Sequence, residues 1–200
     1  MRDPVLDLGA RIAHRLRDLR AARRLSLDAL ATKSGVSRSM ISVLERGESS
    51  PTASVLEKLA TGLGVTLGSL FDEAAATRPE RGPISRREDQ PEWRDPASGY
   101  VRRNVSLPGA AQAVQIVEVH FPPRGRVAFD NGASDLVVLQ QVWVLDGVME
   151  VSVGETRHRL RKGDCLAMAL DRPTMFHNPA RKPARYAVVV TSESRQRGSG

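Results

Sequence analysis

The hydrophobic period changes once along this chain, and that change limits what it can fold into. Through about residue 71, apolar side chains recur every three or four residues, the spacing of amphipathic helices. From about residue 114 they come in short Val- and Leu-rich runs of strand length. One layer of secondary structure cannot satisfy both periods. The chain is therefore read as an α + β protein of two domains, helices first and an all-β unit second.

Leu8, Ile12, Leu16 and Leu19 form the stripe of a first helix, with Arg11, Arg15 and Arg17 on other faces. Ser26 is placed to cap a second helix, "LDALATKS", and Gly35 to end it, because glycine takes positive φ at low cost. Ser37 caps a third helix, with Met40, Ile41 and Leu44 as its apolar pattern. "SSPTASVLEKLATGLG" is a fourth, ending near Gly62 or Gly64. Thr66 starts a short fifth, with Leu67, Leu70 and Phe71 inward. The next stretch, residues 73–99, is rich in proline and charge and reads as a linker. Its one large apolar residue, Trp93, is expected to dock onto the second domain.

The β signal follows in "VQIVEVHF", "VVLQQVWVL", "VMEVSV", "TRHRL", "CLAMAL" and "YAVVV". Asp146-Gly147, Gly154-Glu155 and Lys162-Gly163 stand between four of these runs at intervals of eight residues, a hairpin rhythm that predicts a sandwich or barrel. The domain limits are thus 1–72, a linker 73–99, a β domain 100–191 and a disordered tail 192–200.

A net charge of +7, mostly arginine, suits a nucleic-acid partner but is spread over both halves. No run has the ~18–20 apolar residues of a membrane span, and the N-terminus is too charged for a signal peptide. The single cysteine, Cys165, excludes an intramolecular disulfide and an all-cysteine zinc site. In a strand, such a cysteine is expected to be a small buried apolar residue. A cytoplasmic protein is expected.

Two helices joined by "SGVS" fit a helix-turn-helix in which the helix after Ser37 enters the major groove. Arg38 and Ser39 at its start are placed to reach base edges, where arginine can donate two hydrogen bonds to guanine. Ser42 and Val43 lie one turn further on.

The stretch "LRDLRAARRLSLDALATKSGVSRSMISVLERGESSPTASVLEKLATGLGVTLGSLF" resembles the five-helix, lambda-repressor-like DNA-binding domain of the xenobiotic-response-element family of regulators. The resemblance implies a salt bridge between Arg20 and Glu45, and backbone contacts from Lys33, Arg46 and Thr52. Ser37, a cap first, is then also near a phosphate.

The β half, carried by "LDG", "KGD" and a proline ahead of "HN", resembles the small cupin, a double-stranded β-helix barrel, fused to such regulators as an effector sensor. Metal-binding cupins supply a His-x-His pair, a glutamate and a later histidine. The matching positions here hold Ala133, Asp135, Gln140 and Thr174, so no metal and no other cofactor is expected. Gln140, Val142, Met149, Met168, His177 and Tyr186 are the expected pocket lining. The combined reading is a homodimeric, non-enzymatic DNA-binding repressor. It would grip a pseudo-palindromic double-stranded operator and sense a small-molecule effector. The rivals are a cupin enzyme that regulates its own gene and an antitoxin-like scaffold.

Overall fold

The computed structural model describes residues 4–71, 83–107, 114–131 and 136–194. Four α-helices come first: α1 (Pro4–Ala22), α2 (Leu27–Ser34), α3 (Arg38–Glu45) and α4 (Ala53–Leu63). The fifth helix expected after Thr66 is a single 3-10 turn, Leu67–Leu70. Thr66 caps it, and Leu70 and Phe71 are buried, but four residues are too few for an α-helical ladder. Gly68 within the turn is pressed against the Gln115 side chain of the second domain.

The other helix ends form as their residues dictate. Ser26, Ser37 and Thr52 accept hydrogen bonds from the N–H groups of Ala29, Met40 and Val55, which otherwise lack partners at a helix start. Gly35 turns the chain at φ +68°, and Gly64 closes α4 at φ +64°. Gly62 serves another purpose. A methyl group there would stand 2.9 Å from Ser34 Cβ and 3.0 Å from the Ser34 nitrogen, so α2 and α4 meet backbone to backbone. Leu8, Ile12, Leu16 and Leu19 of α1 are all buried against Leu30, Ile41, Leu44, Leu56 and Leu59.

Ten strands follow: β1 (Glu92–Arg94), β2 (Val101–Asn104), β3 (Val114–Phe121), β4 (Arg126–Phe129), β5 (Leu136–Asp146), β6 (Val148–Val153), β7 (Thr156–Arg161), β8 (Cys165–Ala169), β9 (Thr174–His177) and β10 (Ala184–Ser194). They pair antiparallel in two sheets, β1-β2-β3-β10-β5-β8 and β4-β9-β6-β7. The Asp146-Gly147 turn joins β5 to β6 with Gly147 at φ +80°, and Gly154 and Gly163 also take positive φ. The two sheets face each other over one apolar interior. Among the described residues no ladder joins them, so the barrel expected from the sequence is an open pair of sheets. The six-stranded sheet is wider by β1 and β2, and the helical domain lies across the opening.

β1 lies within the stretch 73–99 that reads as a linker, and β10 runs three residues into the expected tail. Residues 72–82 and 195–200 lie outside the described residues, as do Ala133 and Asp135.

Trp93 on β1 bridges the halves. Its ring centroid is 5.8 Å from Phe71 and 5.8 Å from Tyr100, and the line of rings continues through Phe121 to Tyr186 and Phe176. Each such pair stabilises by about 0.5–1.5 kcal/mol beyond its buried area. Polar contacts add to the seam. The Ala53 N–H at the start of α4 donates to Asp95 Oδ1 at 2.9 Å, and Asp95 is 2 % exposed. Lys58 Nζ stands 2.8 Å from Asp130 Oδ2, and Thr66 Oγ1 donates to Gln115 Oε1 at 3.2 Å. No helix among the described residues is long and apolar enough to cross a membrane.

Candidate functional site

The turn between α2 and α3 is held by side chains rather than by loop length. Ser34 Oγ donates to the Leu30 carbonyl at 2.7 Å and accepts from the Val36 N–H at 3.2 Å, and Val36 is buried beneath the turn. At the far end of α3, Arg20 grips Glu45 with two hydrogen bonds, Nε to Oε1 at 2.6 Å and Nη2 to Oε2 at 2.7 Å. Arg17 Nη2 donates to the Glu45 carbonyl at 2.7 Å. The Glu45 side chain is 6 % exposed, so deleting Arg20 would strand a buried charge, at a cost of about 3–5 kcal/mol.

With both ends pinned, α3 presents Ser37, Arg38 and Ser39 to solvent at its start, with Ser42 and Val43 half-buried one turn on. Arg38 Nε is 3.3 Å from Asp28 Oδ1, and both side chains are mostly exposed. Such a pair contributes little, so Arg38 is available to a nucleic acid. Arg46 is exposed and occupied locally: Nη1 donates to Ser42 Oγ at 2.5 Å, while Nε and Nη2 donate to Glu48 at 2.6 and 2.8 Å. Lys33 is exposed, and Thr52 is half-buried as the cap of α4. Met40 departs from the inward pattern and is 43 % exposed. At 3.6 residues per turn the inner face of α3 is Ile41, Leu44 and Glu45. Glu45 takes the last core place because Arg20 neutralises it, and Met40 is left on the outer surface.

The second site is a cavity of about 110 Å³ between the two sheets and beneath α4. Of the six residues expected to line it, Gln140 and Tyr186 do so. Val142 and Met149 are completely buried in the core instead. Met168 is half-buried and packs against that core without reaching the cavity. His177 is on the opposite face of β9 from Thr174 and Phe176, which do line the cavity. Its Nδ1 is 3.2 Å from Glu150 Oε2. Gln140 and Thr174, which stand where the cupin resemblance expects metal ligands, both face the cavity. Among the described residues no three His, Cys, Asp or Glu side chains are grouped to hold a metal ion. Cys165 is exposed, not buried, because β8 is an edge strand with its outer face uncovered.

The contribution that residue patterns missed comes from the other domain. Glu57 of α4 lines the cavity at 8 % exposure. Its Oε1 accepts from Thr61 Oγ1 at 2.8 Å, and its Oε2 is buried without a hydrogen-bond partner. Burial pushes the Glu57 pKa up. Thr61 opposes this, Asp130 adds to it, and Lys58 and the Asn131 N–H oppose it. The only hint in the sequence is a charge set one place after Leu56 on the apolar side of the helix.

The matches to known proteins agree with this geometry. Residues 16–70 match the helix-turn-helix family HTH_3. Across 93 % of this chain and 97 % of the other, the fold is that of an HTH_3 family transcriptional regulator from Vibrio cholerae, with a TM-score of 0.73 and 28 % identity. The HTH-type transcriptional regulator SutR of Escherichia coli (strain K12) is 23 % identical over 188 residues, 88 % of this chain and 91 % of its own length. The immunity repressor protein of Bacillus phage phi105 is 28 % identical over 79 residues, 40 % of this chain and 55 % of its own.

A Glu57→Gln variant tests the buried carboxyl. A raised folded pKa means the fold prefers Glu57 protonated. That stability is complete below the ordinary glutamate value of 4.5 and is lost as pH rises through the folded value. The variant is expected to melt above the wild type at neutral pH, with the difference closing towards pH 4 in a melting series. With residues 16–70 forming an HTH_3 helix-turn-helix domain seated on a pair of antiparallel sheets, and nearly the whole chain sharing the fold of an HTH_3 family regulator, the chain is a helix-turn-helix transcriptional regulator with a C-terminal β domain.

Proposed function

We propose that the protein is a sequence-specific repressor that reads double-stranded operator DNA through α3, as a homodimer, and releases it on binding a small molecule in the cupin domain. The observation that carries the DNA reading is α3 itself. It is pinned at one end by the Ser34–Val36 turn and at the other by the Arg20–Glu45 pair, with Arg38 and Ser39 exposed on its first turn. Lys33, Ser37, Arg46 and Thr52 are assigned to phosphates, and Arg38, Ser39, Ser42 and Val43 to base edges. Arg46 would exchange Glu48 for a phosphate oxygen.

The dimer reading rests on the outer face of the six-stranded sheet. Val114 and Ile116 on β3 and Val137, Leu139 and Trp143 on β5 are exposed there, with β10 between them. In register, Val189 stands between Ile116 and Gln141, so the apolar surface is continuous across three strands. Exposed apolar surface of this kind marks an interface. A second copy is the occupant that also serves operator binding, by presenting two reading helices to half-sites ~34 Å apart. The effector reading rests on the cavity, whose walls mix aromatic and aliphatic side chains with a few polar groups.

Three outcomes follow. Arg38→Ala should weaken operator binding by about 1–3 kcal/mol and relax base preference at one position; equal loss on every sequence would make Arg38 a phosphate contact. Trp143→Arg should shift the protein from dimer to monomer in sedimentation, and remove tight binding to a full palindrome before binding to a half-site. A fragment library of mixed charge should contain members that raise the melting temperature of the full chain and release it from operator DNA. If no member does either, effector sensing is wrong.

A further inference from the structure

The cavity has a roof built by the DNA-binding domain. α4 contributes Glu57, Ala60 and Thr61 to it, and the segment Val65–Gly68 contributes the rest. Below lie the rings of Tyr100, Phe121, Phe129, Phe176 and Tyr186. Tyr186 and Phe176 are stacked at 5.9 Å, and Phe129 meets Phe176 edge-on at 6.0 Å. The faces of such rings are electron-rich and attract cations. Glu57 adds a buried carboxyl whose Oε2 makes no hydrogen bond, with the Asn131 N–H the backbone donor acting on the group.

The polar and aromatic features therefore favour one sign of charge. An anion would meet aromatic rings and the Glu57 carboxyl together, and an apolar molecule would leave Glu57 Oε2 unsatisfied. Arg102 also borders the cavity, where its charge acts on Tyr100 and Tyr186, but its guanidinium lies over Phe71, 5.3 Å from the ring centroid, with Nη2 at the Gly68 end. Glu57 is on the side of Asn131 and the four-stranded sheet. We propose that the cavity takes a small organic cation, an amine or alkylammonium whose charge pairs with Glu57 and whose apolar body lies against Phe129, Phe176 and Tyr186.

This proposal rests on the effector-sensing reading above and names the chemistry of that effector. An engineered cavity of roughly 150 Å³ holds benzene, so about four to six non-hydrogen atoms fit in 110 Å³ as the cavity stands. The bound charge would act on α4 directly. Five residues beyond Glu57, Gly62 abuts Ser34, whose hydroxyl holds the turn leading into α3. A pull on Glu57 reaches the reading helix through one helix and one serine.

The test is calorimetric titration of the full chain at pH 7 with isopentylamine, isopentanol and isobutyrate, each of six non-hydrogen atoms, on the wild type and on Glu57→Gln. Isopentylamine should bind once per chain and at least tenfold tighter than the alcohol or the acid. In Glu57→Gln that preference should vanish, while a cooperative melt and retained alcohol binding show that fold and cavity persist. Isopentanol or isobutyrate binding as well as the amine, or an amine preference that survives the substitution, overturns the cation assignment and leaves a sensing cavity intact. If none of the three binds while other fragments do, the inference alone falls. If no fragment of any charge binds, the effector reading falls with it.

Discussion

α4 must satisfy two interiors at once, and the arrangement of both domains depends on how it does so. Leu56, Leu59 and Leu63 face the helical core, while Glu57, Ala60 and Thr61 close the space between the sheets. An eleven-residue helix is marginal by itself. Here its first free N–H, that of Ala53, is taken by Asp95 of the second domain, and the Val55 N–H by its own Thr52 cap. Trp93, between Phe71 and Tyr100, makes the same joint in apolar terms. The helical and β halves are separate in sequence period yet share a seam that neither could leave uncovered.

Charge is buried where it fixes geometry. The Arg20–Glu45 pair contributes little net stability compared with an apolar pair of the same volume. It does confine α3 to one angle against α1, since a two-point contact between planar groups tolerates little rotation. Glu57 is the opposite case, a carboxyl with one good donor and one oxygen without any, kept in the wall of a cavity. The first charge is fully satisfied and holds the scaffold; the second is left incomplete at the place where a ligand would sit.

What could be read from the residues was whatever is decided locally. The serine and threonine caps, the Gly35 turn and the hairpin glycines depend on neighbours within four residues, and each is where the pattern puts it. Strand parity was also legible for β5 and β10, so Gln140 and Tyr186 do face inward to the cavity. Depth was not. Val142 has the same parity as Gln140 but is completely buried in the core and is not part of the cavity wall. β9 is four residues long, too short for alternation to mark its faces, and His177 lies on the side away from the cavity. β1, β2 and β4 are too short for alternation to show. Met40 and Cys165 were expected inward from residue type, and each is exposed because no second layer covers its surface.

The contact of Gly62 with Ser34 has a consequence for how such a regulator could diversify. On the proposed function the two parts resemble interchangeable modules, one for the operator and one for the signal. Yet α4 is the lid of one and the back wall of the other, so joining this helical domain to a different pair of sheets would change the lid as well. New specificity for a signal is then more accessible by substitution on the sheet floor than by exchange of whole domains. The glycine at position 62 leaves no room between lid and turn for even a methyl group, so a change of lid is also a change at the turn.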